Sequence, residues 1–389
     1  MFDFDEPIDR RRTHSLKWDM MQPLFGVAPE DGLAMWVADM DFRPPAAVLA
    51  ALQAEVDQGV PGYFGDDAAY RSAITGWMAR RHGWEVDPAA ILTTHGVVAG
   101  VGFCLQAFSE PGDGVILFPP VYHAFARVIL ANDRRVVEHP LVVRDGRQHM
   151  DLDALAARLD GSERIVVFCS PHNPGGRIWT AAEQRELADF CAAHDLILVA
   201  DEIHHDLVLP GRRHTPLPVA APGAMDRTVM LTAATKTFNI AGALTGNAII
   251  PDPGLRARVA ARIAAAGGSP NRLGVLMATA AYAGGEAWLE ALLPYLAENA
   301  RLFEDGLAAI PGVEPTRLDS TYLAWIDFAG TGLSPDEVAA RVRDGARIAA
   351  SPGQQFGTGG DSFLRFNLAT PQARVAEAVA RLQAAFAGA

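Results

Sequence analysis

Lysine is almost absent from this 389-residue chain. Of its 33 Lys+Arg residues, 31 are arginine and only Lys17 and Lys236 are lysine. Positive charge as a whole is also in deficit, since 46 Asp+Glu leave a formal net charge of −13. That balance excludes a broad electrostatic footprint for nucleic acid or an anionic membrane, and an anionic ligand needs a local positive pocket. Cysteine is scarce too: Cys104, Cys169 and Cys191 lie far apart in apolar surroundings, with no CxxC or HExxH spacing. This excludes a disulfide framework and a zinc motif, and reads as buried free thiols in a reducing compartment. No apolar run approaches the roughly 18 residues of a membrane span. The opening MFDFDEPIDRRRTHS has acidic residues where a secretory leader has an apolar core, so a cytoplasmic protein is expected. Repeats, low-complexity tracts and long Gly/Ser linkers are missing, so any domains are interleaved by excursions of the backbone.

What is present is a core-forming chain, 50% hydrophobic, with two characters in succession. Between about 90 and 250, apolar strands AILTT (90–94), VILF (115–118), IVVFC (165–169), LILVA (196–200) and VMLTA (229–233) alternate with helical patterns at 97–109, 121–132, 151–160 and 181–194. The last of these opens on the capping sequence TAAEQ. Such alternation predicts an α/β fold with a mainly parallel sheet covered on both faces. From about 254 the pattern turns to long helices at 254–266, 271–284 and 286–309. Strand-like TYLAWIDF (321–328) and SFLRFNLA (362–369) follow, flanking a helix near 335–344, and a last helix spans 371–387. That is the composition of a smaller α+β unit, with which the N-terminal segment is free to pack.

Ligands of open α/β sheets sit at the carboxyl ends of the strands. There the sequence places HGVVAG (95–100), PPVYHAF (119–125), SPHNPGG (170–176), ADEIHHD (200–206) and ATKTFN (234–239). Gly96 opens a helix whose N–H groups suit a phosphate, although a glycine there also makes an ordinary turn. Tyr122 can lie flat on a planar ligand or simply pack. Asn173 is framed by prolines and glycines that either present its amide to a ligand or simply make a turn. Asp201 emerges at a buried strand end, where a carboxylate needs a cation or a cap. His204 and His205 suggest metal, but adjacent residues face different ways and no third ligand is suitably spaced, so no metal is expected. Lys236 is followed by fifteen uncharged residues, TFNIAGALTGNAIIP. A lysine in so apolar a stretch loses hydration, its pKa falls, and the amine becomes a nucleophile or base, a role arginine cannot fill. Lysine, aspartate, asparagine, tyrosine and a glycine cradle on one rim fit pyridoxal 5′-phosphate.

These segments, together with THSLKWD (13–19), MWVADMDF (35–42), GVPGYFG (59–65), TKTFNIAG (235–242), STYLAWIDF (320–328) and FLRFN (363–367), resemble the class I/II aminotransferase family of fold-type I pyridoxal phosphate enzymes. Within it they are similar to the MalY/PatB-type branch of cystathionine β-lyases, or C–S lyases. The resemblance implies a large domain at 51–288 with a seven-stranded-type, mainly parallel sheet. It also implies a small domain at 289–389, joined by the N-terminal segment 1–50. It implies α,β-elimination from L-cystathionine or a related S-substituted L-cysteine, with an ordinary aminotransferase as the alternative. A regulatory protein that binds the cofactor is a further alternative, although no DNA-binding helix pair or basic arm is visible.

Carried over residue by residue, Lys236 joins the cofactor and acts as base, Asp201 partners its ring nitrogen, and Asn173 bonds its ring oxygen. Tyr122 stacks on the ring and can donate a proton. The backbone of Gly96, Val97 and Val98 and the hydroxyls of Thr232 and Thr235 are the candidate phosphate contacts, with His204 also beside the cofactor. Arg365 clamps the substrate carboxylate, with Asn173 and Ala38 nearby. Tyr63 serves the neighbouring subunit's cofactor and substrate, which implies a homodimer with shared sites. Two positions depart from the wider aminotransferase pattern: Leu244 stands where many relatives have a phosphate-binding arginine, and Ala233 where many have serine.

Overall fold

The computed structural model describes residues 2–144 and 146–387; the outermost residues of the expected terminal segments, 1 and 388–389, lie outside the described residues. Seven strands form the central sheet: β1 (Ile91–Thr94), β2 (Gly114–Leu117), β3 (Arg135–Glu138), β4 (Glu163–Cys169), β5 (Ile197–Asp201), β6 (Thr228–Thr232) and β7 (Gly246–Ile249). Their spatial order is β1-β7-β6-β5-β4-β2-β3. All neighbours run parallel except β7, which is antiparallel to both β1 and β6.

The near-continuous apolar runs of β4, β5 and β6 follow from burial on both faces. Val167, Val199, Val229 and Leu231 pack with Val101 and Leu105 of the helix Val97–Phe108. Val166, Phe168, Leu198 and Ala200 point the other way, onto Leu187 and Cys191 of the helix Ala181–Ala193. That second helix begins with the capping box TAAEQ promised: Thr180 accepts from the Glu183 N–H, and the Glu183 carboxylate accepts from the Thr180 N–H.

Two readings need correction. The helix expected over 151–160 ends at Ala156, and the chain passes through Gly161 at φ 83° before entering β4. Strands β3 and β7 were not anticipated. RVVE is short and charged at both ends, as an edge strand can be, and GNAI lies inside the uncharged run after Lys236.

The smaller unit is an antiparallel sheet of Glu314–Thr316, Leu323–Asp327, Phe363–Asn367 and Ser351–Pro352, backed by the helices Glu286–Ala308 and Gln372–Ala385. The N-terminal segment joins this unit, since Leu33–Ala34 pairs in parallel with Ile348–Ala349. Residues 36–42 then bridge the two sheets. Asn367 Nδ2 donates to the Val37 and Asp39 carbonyls at 2.5 and 2.6 Å, while Asn239 Nδ2 donates to those of Met40 and Phe42 at 3.0 and 2.7 Å.

The first of the two lysines helps to hold that bridge. Lys17 is fully buried, with Nζ 3.0 Å from Asp41 Oδ2 and 3.1 Å from the Asp39 carbonyl. Burial opposes ionisation of Asp41, but Lys17, the Trp18 indole N–H and Arg10 outweigh it and hold the carboxyl below its ordinary range. Lys17 is therefore a structural cation with a carboxylate of its own.

Candidate active site

Lys236 is buried without that kind of partner. It sits in the four-residue helix Ala234–Thr237 just beyond β6, and its Nζ donates to the Ala38 carbonyl at 2.6 Å. The Tyr322 hydroxyl donates to the same carbonyl at 3.0 Å. No carboxylate oxygen lies within 4.0 Å of the amine among the described residues. Burial lowers its pKa to about 8, with Asp39 and Asp201 only partly restoring the charged form. A fraction of the amine is therefore neutral near pH 7, which a base requires.

A cavity of about 190 Å³ opens in front of it. Gly96, Val97 and Val98 enter it from beyond β1, Tyr122 from beyond β2, Asn173 from beyond β4, Asp201 and His204 from β5, and Thr235 and Lys236 from beyond β6, with Ala38 across the mouth. Ten of the expected site residues thus share one cavity. Arg365 lines an adjoining, larger space with Ala38, Tyr122 and Lys236.

Two other expected residues do not line this cavity. Thr232 is fully buried within β6, does not line the cavity, and meets Asn247 Nδ2 at 3.4 Å instead. Thr232 is the last residue of β6, and its hydroxyl accepts from the Asn247 amide of β7. Tyr63 is 97% exposed and does not reach its own chain's cavity.

His95, Cys169, Ile203, Ala241, Leu244 and Thr245 complete the lining. Leu244 and Thr245 are there because β7 is antiparallel: its start, not its end, reaches the functional rim. The resemblance already draws attention to position 244, whereas Thr245 could be found only by recognising β7 as a strand.

The electrostatics single out the same groups. Asp201 is 3% exposed and accepts from the Ile203 N–H at 3.0 Å. Burial raises its pKa to about 7, and neither that hydrogen bond nor Lys236 compensates. Arg365 is 4% exposed and pairs with no carboxylate among the described residues. Its donors go to Asn173 Oδ1 at 3.0 Å, the Trp36 carbonyl at 2.8 Å and Ser351 Oγ at 3.3 Å, and its Nε has no partner. Burial lowers its pKa to about 10, so the guanidinium stays charged at neutral pH. Burial also raises the Tyr122 hydroxyl and lowers His204 to about 3, leaving a protonated phenol and a neutral imidazole.

At the far end, Gly96 caps the helix Val97–Phe108 with φ 99°, a conformation that favours glycine. A Cβ on Gly246 would lie 3.0 Å from the Gly96 carbonyl carbon, so both strands keep the cradle free of side chains. The first N–H groups of that helix are left for a ligand.

An isolated buried carboxyl suits a protonated ring nitrogen, a deprotonatable amine suits an aldehyde, and an N-terminal cradle suits a phosphate. These residues fit pyridoxal phosphate: Lys236 would bond it, Asp201 and Asn173 would hold its ring, and Gly96–Val98 with Thr235 would hold its phosphate. Because Asp201 is a raised acid, its ionisation acts on stability with a definite sign. In cofactor-free protein the unfolded carboxyl ionises near pH 4 and the folded one near 7. Wild type is therefore expected to lose stability relative to Asp201→Asn by about 1.4 kcal/mol per pH unit from pH 4 to 7, levelling off above. Urea unfolding of both apoproteins at pH 5, 6 and 8 checks this; a constant difference would refute the raised pKa.

A two-part fold with a seven-stranded sheet, carrying a buried lysine and aspartate on its carboxyl rim, defines a fold-type I pyridoxal phosphate transferase. The chain belongs to the class I and II aminotransferase family, whose pattern it matches over residues 35–382. Among its relatives, cystathionine beta-lyase PatB of Bacillus subtilis is 39% identical over 98% of this chain and 99% of that protein. Protein MalY of Escherichia coli is 31% identical over 98% of each. Cystalysin from Treponema denticola, whose crystal structure contains pyridoxal 5′-phosphate, superposes with a TM-score of 0.95 at 34% identity, over 99% of this chain and 98% of that one.

Proposed function

We propose that this protein is a pyridoxal phosphate-dependent C–S β-lyase of the cystathionine β-lyase type. It cleaves L-cystathionine or a related S-substituted L-cysteine by α,β-elimination and, with water, yields a thiol, pyruvate and ammonia. The observation that carries this reading is the full-length likeness to PatB of a chain that keeps Lys236 and Asp201 in one cavity and Arg365 in the space adjoining it.

The cofactor, when bound, supplies a ring that withdraws electrons from the substrate's Cα. The protein supplies the rest. Arg365 binds the α-carboxylate through paired N–H donors, with Asn173 Oδ1 fixing its plane. Lys236 takes the Cα proton at Nζ, and Asp201 holds the proton on the ring nitrogen. A thiol ionises near pH 8.5, so the departing sulfur needs little acid; the buried Tyr122 hydroxyl is the donor available to it.

The test is incubation of the holoenzyme with cystathionine and no keto acid. Pyruvate and ammonia should appear in equal amounts. Their absence, with amino transfer on adding a keto acid, would establish an aminotransferase instead.

The exposure of Tyr63 supports a homodimer in which it completes the partner's site, tested by the subunit mixing described below. Among the described residues no helix is long and apolar enough to cross a membrane. Three buried free cysteines support a reducing cytoplasm, which cell fractionation would check.

A further inference from the structure

The turn after β5 carries a further buried carboxyl, Asp206, which does not line the cavity. Asp206 is 1% exposed. Its Oδ1 accepts from Trp77 Nε1 at 3.0 Å and lies 2.7 Å from His82 Nε2. Its Oδ2 accepts from the Thr237 hydroxyl at 2.8 Å and lies 3.2 Å from His205 Nε2. Trp77 and His82 belong to the helix Ala68–His82, and Thr237 is the residue after Lys236. One carboxylate therefore ties the β5 turn, which bears Asp201, to the Lys236 helix and to a third element. Burial opposes ionisation of Asp206, yet His205 and His82 hold it well below the ordinary carboxylate range.

The Lys236 helix has four residues and no side-chain cap. So short a helix has no stability of its own, and its direction is fixed by what it touches. Phe238, which follows it, packs edge-on against Trp77 with ring centroids 5.4 Å apart, so the aromatic contact leads back to Asp206 as well. His82, His205 and Asp206 have ligand atoms within 4.8 Å of one another, a spacing a metal could use. The tryptophan, histidine and threonine donors already occupy the carboxylate, and a hydrogen-bonded brace accounts for the geometry.

We propose that Asp206 is a positioning residue that, through the Thr237 hydroxyl, sets the direction from which Lys236 Nζ meets the substrate's Cα. The rate arm of its test rests on the lyase reading, whereas the spectroscopic arm requires only that the cofactor bind Lys236. Thr237→Val, Thr237→Ser and Asp206→Asn holoenzymes are compared in visible circular dichroism of the cofactor, kcat and KM for pyruvate release, and Tm.

Thr237→Ser keeps the hydroxyl and should match wild type. Thr237→Val should change the dichroic band and lower kcat roughly tenfold with KM within about twofold, because small misplacements of a reacting group are costly. Asp206→Asn should shift the band further in the same direction. A Thr237→Val enzyme with the wild-type band and kcat would overturn the proposal, as would equal impairment of the Ser and Val variants, or an Asp206→Asn enzyme that loses only Tm. If wild type itself releases no pyruvate, the lyase reading fails and the dichroic comparison still decides the role of Asp206.

Discussion

Lys236→Ala is expected to lose the visible absorbance of the lysine-bound cofactor and to lower turnover by about 10⁴-fold, the upper range of a general base's contribution. Two consequences of burial meet at this residue. Desolvation brings the amine to about pKa 8, and the Ala38 carbonyl directs it without stabilising a full charge as a carboxylate would. Lys236→Arg sharpens the case, because arginine keeps the charge but cannot give up its proton. It should be as inactive as the alanine variant. Persistence of the band in Lys236→Ala would refute the assignment.

The same variant reports on the dimer. If Tyr63 serves its partner's site, neither Lys236→Ala nor Tyr63→Ala alone is fully active. Equal mixing with subunit exchange makes half the dimers mixed, each with one intact site. Activity should then recover to on the order of a quarter of wild type, as two-fold symmetry requires. No recovery, given demonstrated exchange, would remove Tyr63 from the site.

Arg365→Met carries the second large effect. The guanidinium is buried, charged, and satisfied only by neutral acceptors, so a substrate carboxylate is its missing anion. Losing two charge-assisted hydrogen bonds costs about 3–4 kcal/mol, or roughly 10²–10³-fold in kcat/KM, expressed mainly in KM. The cofactor absorbance should persist, because its lysine and aspartate are untouched. Titration with a non-reactive amino acid separates the two effects, and an equal loss of cofactor would show that Arg365 supports the pocket instead of the substrate.

Much of the site was legible because each strand end delivers one functional group in sequence order. Lys236 was visible through the rarity of lysine, although that reasoning does not distinguish it from Lys17, also buried. The difference is the carboxylate of Asp41, which only the fold brings to Lys17. Apolar β4, β5 and β6 announced themselves, whereas RVVE and GNAI are four residues each and carry no strong period. Thr232 does not line the cavity, and strand position alone does not say which face a hydroxyl takes. The brace at Asp206 was invisible since its partners Trp77 and His82 come from a helix far earlier in the chain. The resemblance supplied Arg365 and Tyr63; no local pattern would have joined them to Lys236.

The place of β7 also bears on how the site comes into being. Strand β1 is an edge strand whose single neighbour in the sheet is β7. The proposed phosphate cradle at Gly96 therefore has no sheet to rest on until residues 246–249 have been synthesised, and it closes by one of the longest-range pairings in the molecule. Such contacts form late, after the intervening chain has given up its freedom. On the ribosome, β2, β4, β5 and β6 can assemble first, and the cofactor's binding place is among the last parts of the large sheet to be completed.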